Sequence, residues 1–137
     1  MKGKEKAPWE KGPLKVTEDG RYFRCGEEPF FFLGDTAWLL FHQLTLEESF
    51  LYLRNRKELG YNMILADFVH TADQKNRAGD SALTDGDPAR PDTEGGFWKH
   101  VDAVVEMAGE LGLFLGLLPV WGSSMVKSGC LNSGNVD

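Results

Sequence analysis

Acidic and aromatic side chains recur directly after three apolar segments of the chain. The three groups are Asp35, Thr36 and Trp38, then Asp67, Phe68 and His70, and finally Trp121, Ser123 and Ser124. A carboxylate accepts hydrogen bonds from two hydroxyls, and an indole ring stacks on the apolar C–H face of a pyranose or furanose. If the three segments are strands that end on one side of a sheet, these residue types predict a sugar-binding crater there.

Each of these side chains also has a purely structural explanation. Asp35 either caps the following turn together with Thr36 or contacts a ligand, since both residue types favour local backbone bonds. Trp38, taken alone, is more typical of a core residue than of a stacking platform. Asp67 ends an apolar segment, and a carboxylate there must be solvated or paired because burying it bare is costly.

The three histidines, His42, His70 and His100, show no metal-ligand spacing. The sequence therefore predicts neither a metal site nor a bound cofactor. His100 lies beside Val101 in a helical pattern and is expected on the surface. His70, with Asp73 nearby, is kept as a candidate for the site.

Helix and strand signals alternate along the chain after an initial hairpin. Asp19-Gly20 predicts a hairpin turn in which both central residues have positive φ. Thr45 and Glu48 form a capping-box pattern that opens a helix, and Gly60 is a plausible stop for it. A second apolar stripe runs from Phe97 to Leu111. The strands are expected at 30–33, 61–66 and 113–118.

The order hairpin-β-α-β-α-β predicts an α/β fold with parallel strands. A dinucleotide-binding fold would place a glycine-rich phosphate turn after its first strand. Here that position holds Gly34-Asp35-Thr36-Ala37-Trp38, with an acid and an indole where a pyrophosphate needs bare backbone. The pattern favours a (β/α)8 barrel, with the hairpin packed beneath the N-terminal end of its strands.

Composition excludes several kinds of partner. The chain has 137 residues, 42% of them hydrophobic, and a net charge of -6, so we expect a packed domain that binds neither nucleic acid nor membrane. Cys25 and Cys130 fit no paired pattern and are expected to be free thiols. With no leader signal recognised, a cytoplasmic protein is expected, or a secreted or periplasmic one if a leader was lost.

Several separate motifs in one order give a family resemblance. The most specific is residues 32–38 (FLGDTAW), and others lie at 44–48, 52–62, 85–91, 97–102 and 110–122. Together they resemble the apiosidase-like glycoside hydrolases, formerly classed as a domain of unknown function. Two departures are Gly95-Gly96 before the second helix, which should fray its start, and Ser123-Ser124 after Trp121-Gly122.

The resemblance implies a partial barrel. Residues 1–13 are expected to be a flexible tail, and residues 14–137 the N-terminal portion of a TIM barrel, namely the hairpin and about three βα units. The family's barrel continues further, so its catalytic carboxylates are expected beyond Asp137. The resemblance casts the residues of the predicted crater as substrate-binding groups: Asp35, Thr36, Trp38, Asp67, His70 and Trp121.

Two functions remain open at this point. The first is part of a glycoside hydrolase whose full-length parent cleaves O-glycosidic bonds in plant or bacterial polysaccharide, with this portion inactive alone. The second is a non-catalytic carbohydrate-binding remnant that depends on a partner. Both imply a carbohydrate ligand, and both allow a second chain that carries the rest of the barrel.

Overall fold

The computed structural model describes residues 7–121, which form a mixed α/β arrangement around two three-stranded sheets. The first sheet contains β1 (Leu14–Val16), β2 (Phe23–Cys25) and β3 (Glu28–Phe30). The second contains β4 (Gly34–Thr36), β5 (Met63–Asp67) and β6 (Phe114–Leu118). The α-helices are α1 (Leu40–Gln43), α2 (Leu46–Glu58) and α3 (Gly96–Glu110), and short 3-10 helices lie at Pro8–Lys11 and Thr84–Gly86.

The first sheet is an antiparallel meander whose opening turn is wider than the sequence predicted. Val16 pairs with Phe23, so six residues separate β1 from β2. The predicted hairpin is present, and Gly20 has φ 71°, but Asp19 does not adopt positive φ, so the predicted conformation of the turn is wrong. The Thr17 N–H donates to the Tyr22 carbonyl at 2.8 Å and closes the wider loop instead.

The apolar run at 30–33 is not the buried strand that was predicted. Phe30 ends β3 by pairing with Phe23, whereas Phe31 is 79% exposed and lies between the two sheets. Asn62 holds this crossing segment: its amide donates to the Phe31 carbonyl at 2.6 Å and accepts from the Leu33 N–H at 3.0 Å. The Leu33 carbonyl accepts from the backbone N–H groups of Asn62 and Met63, at 3.0 and 3.3 Å, and the first parallel strand starts at Gly34.

The second sheet is parallel, with its strands in the order β4-β5-β6. Helix α2 joins β4 to β5 and begins with the predicted capping box, in which the Glu48 N–H donates to Thr45 Oγ1 at 3.2 Å and the Thr45 N–H to Glu48 Oε2 at 2.8 Å. Gly60, at φ 91°, ends it as predicted. The Tyr61 N–H reaches back to the Arg56 carbonyl at 3.0 Å, which completes a Schellman motif.

Helix α3 joins β5 to β6, and its two leading glycines have a packing reason. A Cβ on Gly96 would lie 2.3 Å from an Asp80 carboxylate oxygen, and one on Gly95 would lie 2.9 Å from Asp92. The Gly95 N–H also donates to Asp92 at 3.0 Å. The bare backbone lets two carboxylates approach the positive end of the helix dipole.

The core lies between the helices and the parallel sheet. Its largest fully buried side chains include Phe41, Leu53, Ile64, Phe97 and Val104. No helix in residues 7–121 is long and apolar enough to cross a membrane.

The meander packs at the N-terminal end of the parallel strands, where the sequence placed it. Phe30 meets the first residue of β6, Phe114, edge to face at 5.4 Å, and Trp9 lies 6.4 Å from the same ring. The outer part of the meander is open to solvent, with Val16 59% and Tyr22 65% exposed. The opposite end of the sheet is thereby left to the loops that follow the strands.

Candidate functional site

A cleft of about 390 Å³ lies at the carboxyl end of the parallel sheet. One wall comes from the segment that follows β4, and the other from residues just past the ends of β5 and β6. The parallel order of the strands brings these three segments together. The side chains that carry the chemistry of the cleft are Trp38, Gln43, Tyr52, His70 and Trp121.

Three aromatic rings from three different strand ends meet in this cleft. The rings of Trp38 and Trp121 are 5.4 Å apart at an interplanar angle of 62°, and the His70 ring lies 5.1 Å from Trp121. The backbone N–H of Trp121 donates to the Val69 carbonyl at 3.0 Å, which continues the β5–β6 pairing beyond the strands. The structure thus brings together Trp38, His70 and Trp121, all of which the sequence had singled out.

Asp67 reaches this cluster only through its neighbour. It is the last residue of β5 and is 0% exposed. Its Oδ2 lies 2.9 Å from Nδ1 of His70, and its N–H donates to the Trp38 carbonyl at 3.3 Å. Oδ1 has no hydrogen-bond partner within residues 7–121. The carboxylate is therefore paired, as its position at the end of an apolar strand requires, and has no surface of its own in the cleft.

Asp35 lies inside β4 rather than past its end, and its side chain points to helix α2. One carboxylate oxygen accepts from the Tyr52 hydroxyl at 3.0 Å and from Nε of Arg56, and the other accepts from the Thr36 N–H at 2.9 Å. Asp35 is in register with Ile64, a fully buried core residue, so both lie on the helix-facing side of the sheet. Thr36, in register with Leu65, lies on the other side.

The donors around Asp35 favour its ionised form. Burial alone would raise the pKa of Asp35, but the bonds from Arg56, Tyr52 and Thr36 outweigh burial and hold that pKa below its usual value. Burial and the bond to Asp35 raise the pKa of Tyr52 to about 12. Tyr52 also lines the cleft, so its hydroxyl links the Asp35–Arg56 ion pair to the cleft wall.

Two histidines are more enclosed than the sequence indicated. His42, on α1, is 3% exposed, its ring lies 5.2 Å from Phe97, and neither ring nitrogen has a hydrogen-bond partner in the described part of the chain. Burial lowers the pKa of His42, although the negative charge of Asp67 opposes the effect. His100 was expected on the surface; the residue is partly exposed, but its Nε2 is buried and has no hydrogen-bond partner within residues 7–121. Burial lowers the pKa of His100 as well.

Only part of this arrangement could be predicted from the sequence. Tyr52 and Arg56 are one helical turn apart, so they share a face of α2, but nothing in the sequence pairs that face with Asp35. Ser123 and Ser124 lie outside the described residues. Between residues 7 and 121, no group of three or more His, Cys, Asp or Glu side chains could hold a metal ion.

Solved glycoside hydrolases share this architecture. A protein titled glycoside hydrolase is 34% identical, with a TM-score of 0.78 over 88% of this chain and 28% of its own. A glycoside hydrolase family 5 protein from Bacteroides vulgatus is also 34% identical, with a TM-score of 0.78 over 92% of this chain and 28% of its own. The chain thus spans little more than a quarter of the length of these relatives. No curated protein matches it.

The family match extends past the last described residue. Residues 17–136 match the apiosidase-like catalytic domain. This range includes strands β2 to β6, helices α1 to α3 and the cleft. The chain therefore belongs to the apiosidase-like catalytic domain family.

Proposed function

We propose that this chain forms the first βα units of a (β/α)8-barrel glycoside hydrolase that cleaves O-glycosidic bonds in plant or bacterial polysaccharide. In this proposal the cleft is one wall of the barrel's sugar-binding crater. The sequential parallel order of β4, β5 and β6 suits the first part of such a barrel. The match to about 28% of two glycoside hydrolase chains supports the same view.

The observation that carries the proposal is the meeting of Trp38, His70 and Trp121 at the carboxyl ends of three strands. Active sites of (β/α)8 barrels lie at this end of the strands. The two indoles offer apolar faces to the C–H groups of a sugar ring, and the imidazole offers a hydrogen-bonding edge beside them. A cleft of about 390 Å³ is large enough for a small sugar unit.

Two carboxylates are hydrogen-bonded to residues that line this cleft, and both are poorly suited to hydrolysis. A glycosidase needs two carboxyl groups on either side of the scissile bond, about 5–9.5 Å apart. Asp67 is fully buried, and Asp35 is held by Arg56 and Tyr52 on the helix-facing side of β4. We therefore assign the acid and its partner carboxylate to later strands of the barrel, whether on the same chain or on a second one. The 137-residue chain alone should release no sugar from aryl glycosides.

Tryptophan fluorescence of the chain, titrated with oligosaccharides prepared from plant cell-wall and bacterial polysaccharides, tests the binding part of the proposal. Trp121→Ala should weaken binding by at least about tenfold, because it removes a stacking face at the centre of the site. Trp9→Ala is the matched control and should bind normally, since Trp9 packs on Phe114 at the opposite end of the sheet.

Each outcome separates the two candidate functions. Equal binding by the Trp121→Ala and unmodified chains would refute the assignment of the cleft. Binding by the chain, followed by hydrolysis once the remaining barrel strands are supplied, supports the hydrolase. Binding with no hydrolysis under those conditions would favour a non-catalytic carbohydrate-binding role, and hydrolysis by the 137-residue chain alone would contradict our placement of the carboxylates.

A further inference from the structure

We propose that Asp67 is a positioning residue that fixes the orientation and the tautomer of His70, so that the imidazole rather than the carboxylate meets the substrate. The inference rests on the proposed sugar-binding function of the cleft. It differs from the interpretation of the sequence, in which Asp67 and His70 were both direct substrate ligands.

Burial divides the roles of the two side chains. Asp67 is 0% exposed, whereas the side chain of His70 is 31% exposed and lines the cleft. The His70 ring stands between the carboxylate, with Nδ1 2.9 Å from Oδ2, and the indole of Trp121, whose centroid is 5.1 Å away. A ligand in the cleft therefore meets His70 and Trp121, and Asp67 acts on it through the imidazole.

The chemistry of the pair sets the tautomer. An ionised carboxylate only accepts hydrogen bonds, so Nδ1 must carry the proton in the contact with Asp67. A neutral imidazole protonated on Nδ1 has its acceptor lone pair on Nε2. A sugar hydroxyl that reaches the imidazole would therefore act as the donor.

The backbone supports the same geometry. The N–H of Asp67 donates to the carbonyl of Trp38 at 3.3 Å, so the residue that orients His70 is also attached to the segment that carries the other indole. The backbone N–H of Trp121 donates to the carbonyl of Val69, directly before His70, at 3.0 Å. Imidazole and indoles are therefore held as one unit, as a preorganised binding site requires.

Nitrogen-15 NMR of the imidazole rings tests the tautomer without any variant. Neutral His70 in the unmodified chain should carry its proton on Nδ1, and a proton on Nε2 would overturn the inference. Asp67→Leu, which is similar in size but has no acceptor, should remove this preference. His100, on α3, is the internal reference and should be unchanged.

A double-mutant cycle tests whether Asp67 affects sugar binding through His70. Oligosaccharide binding is measured by tryptophan fluorescence. Asp67→Leu and His70→Phe should each weaken binding by about tenfold, the worth of one lost hydrogen bond. The double variant should be no weaker than His70→Phe, because Asp67 acts only through His70. Additive losses would show that Asp67 binds the sugar independently and would overturn the inference.

Failure of the inference and failure of the proposed function give different results. If the unmodified chain binds sugar and Asp67→Leu binds it equally well, the positioning role is wrong and the proposed function stands. If the unmodified chain binds no sugar at all, both are wrong. Should Asp67→Leu fail to fold, the tautomer of the unmodified chain and the loss of binding in His70→Phe still decide the matter.

Discussion

The phenol of Tyr52 should stay protonated well above the pH at which tyrosine normally ionises. Burial and the hydrogen bond to Asp35 raise its pKa from 10.0 to about 12. At about pH 11 a tyrosine with a pKa of 10 is about 91% phenolate, whereas one with a pKa of 12 is about 9% phenolate. The predicted difference between the two cases is thus about tenfold in the fraction ionised.

The near-ultraviolet absorbance of phenolate measures this fraction. The chain has three tyrosines, so the titration of Tyr52→Phe is subtracted from that of the unmodified chain to isolate Tyr52. Tryptophan emission, recorded at the same pH, reports whether the fold persists. A phenolate fraction near nine tenths at about pH 11, with tryptophan emission as at neutral pH, would refute the hydrogen-bonded burial of Tyr52.

The carboxylate of Asp35 supplies a second check on the same group. Asp35→Asn removes the charge that opposes ionisation of the phenol, so the midpoint for Tyr52 should fall between 10 and 12. Asp102→Asn, an exposed change on α3, is the control and should leave the midpoint where it is.

Because the folded-state pKa of Tyr52 is raised, the stabilisation from neutral Tyr52 is fully present below pH 10 and is lost as the pH rises from 10 to about 12.

Two further perturbations test the fold around the cleft. Thr45→Ala should destabilise α2 by about 1 kcal/mol through loss of the capping bond, seen as faster hydrogen exchange of the Glu48 amide, while Thr71→Ala in an exposed loop should not. Burial depresses the folded-state pKa of His42 below 6.5, so its contribution is present above that pH and is lost as the pH falls below it. In the His42→Phe variant, the urea-denaturation midpoint should therefore fall less steeply as the pH is lowered below 6.5. An equally steep fall in the variant and the unmodified chain would contradict the burial of a neutral ring.

Local signals made the helices predictable from sequence. The capping box of Thr45 and Glu48 and the stop at Gly60 depend on residues only a few positions apart, and the structure confirms them. The run at 30–33 misled because apolar residues can either continue a strand or cross between sheets. The side chain that decides between these, Asn62, lies about 30 residues further along the chain.

Some residues of the candidate site were also predictable from the sequence, and others were not. Trp38, His70 and Trp121 came together because all three follow parallel strands, and the carboxyl ends of parallel strands share one edge. Asp35 lies one position inside β4, where the alternation of side chains turns it to the helices. Its partners Tyr52 and Arg56 are 17 and 21 residues away, so no local pattern could identify them.

The short connections that end the two longer helices limit how the chain can change in length. Residues 59–62 and 111–113 join α2 to β5 and α3 to β6, and each turn is fixed by a glycine with positive φ, Gly60 or Gly112. One inserted residue there would rotate the following strand by one position and exchange its two faces, sending Ile64 out of the core. The segment 68–95, on the cleft side, forms its own turns and bridges and can absorb insertions. Divergence among such chains should therefore concentrate around the cleft, which leaves the opposite end of the sheet almost constant in length.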